Sequence, residues 1–203
     1  QSQWVAKQVL DIGVYGIVWP HVSTVEDARN AVAASRYPRP PEAAYYDPPG
    51  QRGDAPRSAA RYWGLTDQEY YKRADTWPLN PAGEVLTVIM CEEKRAIANL
   101  GRLARAGVRV AITTDHPVVP INFLVHQASL AVKEGLDPKT AIEALTVNPA
   151  SFLGLGGRIG ALAPGLDGDV VLGSGDPLDV NSRAEQVFIT GTRAYIWDAA
   201  SGG

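Results

Sequence analysis

Few residues in this chain combine a reactive side chain with a position suited to chemistry. His21 follows the apolar run Val14 to Pro20 (VYGIVWP), which ends at a proline. Glu92 follows Val85 to Cys91 (VLTVIMC), and Asp115 and His116 follow Val108 to Thr114 (VRVAITT). Polar groups at the carboxyl ends of parallel strands are where α/β folds place their ligands. Adjacent strands lie about 4.8 Å apart, so strand-end carboxylates can share one cation. Two carboxylates with waters suit Mg²⁺ or Mn²⁺, and an added imidazole extends the choice to Zn²⁺ or Fe²⁺. Each residue also has a plainer reading. Glu92 suits the first turn of a helix by its charge. Asp115 suits a strand-to-loop cap, and His21 a loop histidine. His126 falls inside a helical stretch and reads as structural. Arg52, beside Gly53 in a turn of a long loop, could grip a substrate carboxylate with its guanidinium, or sit in solvent. Cys91 has no basic neighbour in sequence to activate it.

The elements that would hold these residues are legible from periodicity. The three apolar runs read as buried parallel strands. Ser23-Thr24-Val25-Glu26 reads as a capping box opening a helix that runs to about Ser35. Further helices are expected at Thr66 to Ala74, Glu92 to Ala106 (stopped by Gly107) and Ile121 to Glu134. Another starts at Asp137, with Pro138 at its first turn. Pro38, Pro40, Pro41, Pro48, Pro49 and Pro56 make the stretch between them loop. Tyr45 and Tyr46 within it argue that it packs rather than hangs free. Thr76 to Gly83 reads as a turn-rich link. Past Pro149 glycines crowd together, and short strands are expected at Asp169 to Leu172, Gln186 to Thr190 and Ala194 to Trp197. The glycines around Gly154 to Gly160 lack the strand-then-helix context of a dinucleotide fingerprint.

The 203 residues suit one domain or a domain with an appendage, and the net charge of −3 disfavours nucleic acid as a partner. No apolar run reaches the ~20 residues of a membrane span. One cysteine fits a reducing, cytoplasmic setting. A chain that starts at Gln1 reads as a fragment or a processed product.

Two resemblances stand side by side. Residues 14–100, through GIVWPHVSTVEDARNAVAASRYP, the Gln51-Arg52-Gly53 turn and VIMCEEKRAIANL, resemble the HpcH/HpaI aldolase and citrate lyase family. That family is a (β/α)₈ barrel working on pyruvate-type enolates at a divalent metal, and its strand-end metal ligand matches Glu92. Its second metal carboxylate has no counterpart here. From about Leu103, GVRVAITTDHPVVP, TVNPASFLGLGGRIGALAPGLDGDVVLGSGDPLD and VFITGTRAYIWD resemble the C-terminal part of the amidohydrolase superfamily, in the manner of imidazolonepropionase. The strand-eight Asp of that superfamily, a metal ligand and general base, matches Asp115. Its upstream histidine ligands have no counterpart.

The expected architecture is therefore α/β: a partial (β/α) TIM-type barrel with a small C-terminal β appendage. It divides into an aldolase-like segment (1–100), an amidohydrolase-like barrel end (101–154) and a β-sandwich-like segment (155–203), joined as in a chimera. Eight strands close such a barrel, so another copy or a longer chain is expected to cover the edges, as in a homo-oligomer. The leading expectation is a metal-dependent carbon–carbon lyase acting on a 2-oxo acid, with Mg²⁺ or Mn²⁺ on Glu92 and Asp115, and with His21 and Arg52 at the substrate. The alternatives are a Zn²⁺-type amidohydrolase opening a cyclic amide with Asp115 as base, and a scaffold without catalysis.

Overall fold

The computed structural model describes residues 3–106 and 108–199. Gly107, the expected helix stop, lies outside the described residues. The chain forms two compact units, residues 1–99 and 100–203. No helix among the described residues is long and apolar enough to cross a membrane.

The first unit holds helix α1 (Gln3–Asp11), strand β1 (Gly16–Trp19), helices α2 (Val25–Ser35), α3 (Arg57–Trp63) and α4 (Asp67–Arg73), and strands β2 (Thr76–Trp77) and β3 (Val85–Ile89). Its sheet is parallel in the order β1-β3-β2, with Trp19 opposite Ile89 and Thr76 opposite Val85. Strands β1 and β3 form within their apolar runs. Gly16 is required between them: a Cβ there would lie 2.6 Å from the Leu86 carbonyl oxygen.

Strand β2 falls in the stretch read as a link. Two residues cannot reveal a period of two, and its pairing with β3 supplies what the pattern lacks. Helices α1 and α3 were likewise unassigned from sequence. Trp63 of α3 explains the latter: it stacks on Tyr15 at 4.2 Å and donates from Nε1 to the Gly13 carbonyl at 2.8 Å. Tertiary contacts, not local periodicity, hold that helix. Leu10, Tyr37, Ala59, Ala60, Tyr70, Ala74 and Val85 form the core beneath it.

The capping box of α2 is real but shifted by one residue. Thr24 Oγ1 accepts from the Asp27 amide at 3.1 Å, and Asp27 accepts from the Thr24 amide at 3.0 Å. Asp27 thus takes the role expected of Glu26. Its carboxyl is held below the ordinary range, chiefly by the Thr24 hydroxyl. In α4, Thr66 and Glu69 make the same arrangement.

The proline-rich stretch is loop and is tied down. The amides of Gln51 and Arg52 donate to the carbonyls of Ala33 and Arg36 at 2.8 and 3.0 Å, and Arg36 Nη1 donates to the Pro48 carbonyl at 3.1 Å. Gly50 permits this approach, since a Cβ there would lie 2.0 Å from the Tyr37 carbonyl oxygen.

Helix α5 (Lys94–Arg105) spans the boundary between the units. The second unit continues with a 3₁₀ turn (Ile121–Phe123), helices α6 (Leu124–Lys133), α7 (Pro138–Leu145) and α8 (Val147–Phe152), and strands β4 (Val170–Gly173), β5 (Ala184–Ile189) and β6 (Thr192–Ile196). Asp137 caps α7 by accepting from the Thr140 amide at 2.9 Å, with Pro138 in the first turn. The three strands form an antiparallel sheet in chain order, near the three short strands expected there.

The expected third barrel strand is a correction. Residues 108–114 make no sheet ladder among the described residues. The backbone groups of this segment go to the helices instead. Ile112 donates to the Ala144 carbonyl at 3.1 Å, and the Val110 carbonyl accepts from Asn148 Nδ2 at 2.9 Å. A segment without a neighbouring strand satisfies its polar groups where it can. The described residues therefore make two separate sheets of three strands and no closed barrel.

Candidate functional site

Because β1 and β3 are parallel and in register from Gly16 to Trp19, they leave the sheet at the same edge. Past Trp19 comes His21, and past Ile89 comes Glu92. The pairing carries on after the strands: the Val22 amide donates to the Met90 carbonyl at 3.1 Å. His21 Nδ1 thereby sits 3.4 Å from Glu92 Oε1 and 3.1 Å from Glu93 Oε1. Ser23 Oγ donates to Glu93 Oε2 at 3.2 Å. His21 is exposed, and its backbone is left-handed at φ 57°. The structure thus brings His21 and Glu92 together. Glu93, which the sequence reading passed over, makes the closer contact. Its signal was the doubled glutamate at the strand end.

Arg52 is placed otherwise than its loop position suggested. It is 2% exposed and faces the core. Its guanidinium pairs with Asp11 at 3.0 Å, donates to the Tyr70 hydroxyl at 3.0 Å and lies 4.3 Å from the centre of the Tyr37 ring. Nη1 is buried with no partner among the described residues. A side chain enclosed in this way is a support of the fold, and the solvated arginine at a loop tip is corrected. The reason is Asp11, a charge on α1 that draws the guanidinium inward. Nearby, Arg36 grips Asp75 through Nε and Nη2 at 2.7 and 2.8 Å, and Asn80 and Arg39 complete the Asp75 shell.

In the second unit, Asp115 is exposed and left-handed at φ 54°. Its amide donates to Thr113 Oγ1 at 3.3 Å, and its carbonyl accepts from the Val118 amide at 2.8 Å. Neither carboxylate oxygen has a partner among the described residues, so the group is open to an incoming ligand or water. His126 lies on α6 with its ring 5.5 Å from that of Phe123. Burial pushes the Cys91 thiol up, which keeps it protonated and unreactive near neutrality.

A divalent cation needs several converging donors. Among the described residues no group of three His, Cys, Asp or Glu side chains could hold a metal ion.

Comparison with known proteins finds relatives of both kinds. The chain is 35% identical over 100 residues to a 2-keto-3-deoxy-L-rhamnonate aldolase of Salmonella newport, a match covering 49% of this chain and 31% of the relative. It is 34% identical over 89 residues to an amidohydrolase of Hapsidospora irregularis, covering 44% of this chain and 9% of that protein. Adenine deaminase 2 of Bradyrhizobium diazoefficiens is 43% identical over 68 residues, 32% of this chain and 11% of the relative. The chain thus spans a third or less of the length of these curated relatives. Among solved structures, an amidohydrolase from Thermotoga maritima covers 94% of this chain and 46% of its own, with a TM-score of 0.55 and 23% identity. That likeness shows an α/β fold. The model of the amidohydrolase family matches residues 65–194, more than half of the sequence, and so the chain belongs to that family.

Proposed function

We propose that the second unit contributes to hydrolysis of a carbon–nitrogen bond in a small nitrogen-containing molecule, with Asp115 as the acid–base group. The observation that carries this reading is the Asp115 carboxylate: exposed, without a partner among the described residues, and at the end of the extended segment 108–114 within the family match. A carboxylate so placed can take a proton from an attacking water and return it to the departing nitrogen. The adenine deaminase relatives favour a heterocyclic or cyclic-amide substrate. Membership of the family implies a divalent metal such as Zn²⁺, and the donors of these residues supply at most part of its shell.

One observation favours a second reading for the first unit. His21, Glu92 and Glu93 meet at the carboxyl ends of β1 and β3, and the aldolase relative matches about half of the chain. This supports a carbon–carbon lyase segment, and with it descent of the chain from two families.

Paired assays with added Zn²⁺ or Mn²⁺ decide between the readings: hydrolysis of adenine and cyclic amides, against decarboxylation of oxaloacetate. Hydrolysis lost in Asp115→Asn supports the first reading. Hydrolysis that survives Asp115→Asn overturns it. Decarboxylation lost in Glu92→Gln moves the assignment to the lyase.

A further inference from the structure

We draw no further inference here: the strongest candidate, the cluster of His21, Glu92 and Glu93 at the carboxyl ends of β1 and β3, belongs to the site already described and has no second observation beside it that points to a ligand.

Discussion

The two units bury different things. Residues 1–99 enclose Leu10, Trp19, Val22, Tyr70 and Val85, and with them the charged side chains of Arg36, Arg52 and Asp75. Residues 100–203 enclose Leu100, Leu103, Val110, Leu136 and five alanines, and no charged or aromatic side chain among the described residues. Strand β6 is exposed along its whole length, and Leu162 is 81% exposed. Aromatic side chains and buried ion pairs give the first unit a specified interior. The second unit buries only aliphatic side chains and Thr114 among the described residues, and leaves much apolar surface in water. Burial stabilises by about 25 cal/mol per Å², and aromatic side chains have the most area to bury. The first unit is therefore expected to hold its fold more firmly than the second.

The largest expected effect breaks the first unit from inside. Arg36 is fully buried against Asp75, so Arg36→Ala leaves that buried carboxylate with Arg39 and Asn80 alone. Loss of one partner of a buried pair costs about 3–5 kcal/mol. Urea unfolding followed by tryptophan fluorescence should show the midpoint collapse. A loss below about 1 kcal/mol would mean that the pair is solvated, and the contrast between the units would fall with it.

Next comes Arg52→Met, which keeps the stem and removes the charge. Asp11 retains some solvent and also pairs with Lys7, so a smaller loss of about 2 kcal/mol is expected. This variant sharpens the comparison, because it separates support from substrate contact. A fold loss with unchanged ligand binding is the expected result. Normal stability with lost binding of a 2-oxo acid would restore Arg52 to the site.

How much of this was visible in the sequence follows from where the information lies. Strands β1 and β3 announce themselves as apolar runs, and α7 by Asp137 and Pro138, because those signals are local. The strand ends put His21 and Glu92 at one edge, whereas Asp115, expected at the same sheet end, follows a segment that joins no sheet among the described residues. Arg52 misled because its partner Asp11 lies 41 residues away. The 108–114 segment misled in the other direction. Its β-branched alternation is that of a strand, yet its hydrogen bonds run to Ala144 and Asn148. A sequence shows the propensity to pair but not whether a partner is there.

A smaller effect lies at the start of α2. Thr24→Ala removes a capping hydroxyl and should cost about 1 kcal/mol. The sign of its pH dependence follows from Asp27. The folded carboxyl titrates below its ordinary value of 3.8, so its contribution is present above that value and is lost as acid protonates the folded group. Stability of the wild type should fall on acidification from about pH 5 to pH 2, and the variant should fall less steeply. Equal slopes would show that Thr24 does not set the Asp27 titration.

The smallest expected change in stability belongs to Asp115, and its smallness is the point. Asp115→Asn keeps the shape and tolerates the left-handed backbone, as aspartate does. The amide that bonds Thr113 and the carbonyl that bonds Val118 are main-chain groups and survive the substitution. The carboxylate itself has no partner among the described residues, so its charge contributes nothing that the fold would miss. The variant should unfold within about 0.5 kcal/mol of the wild type. A buried, paired charge is expected to behave differently, as predicted for Arg36. Were Asp115→Asn to lose more than about 1 kcal/mol, the side chain would be acting as a cap. The second unit would then have used its most reactive residue for folding, as the first used Arg52, and the reading of Asp115 as a catalytic group would lose its support.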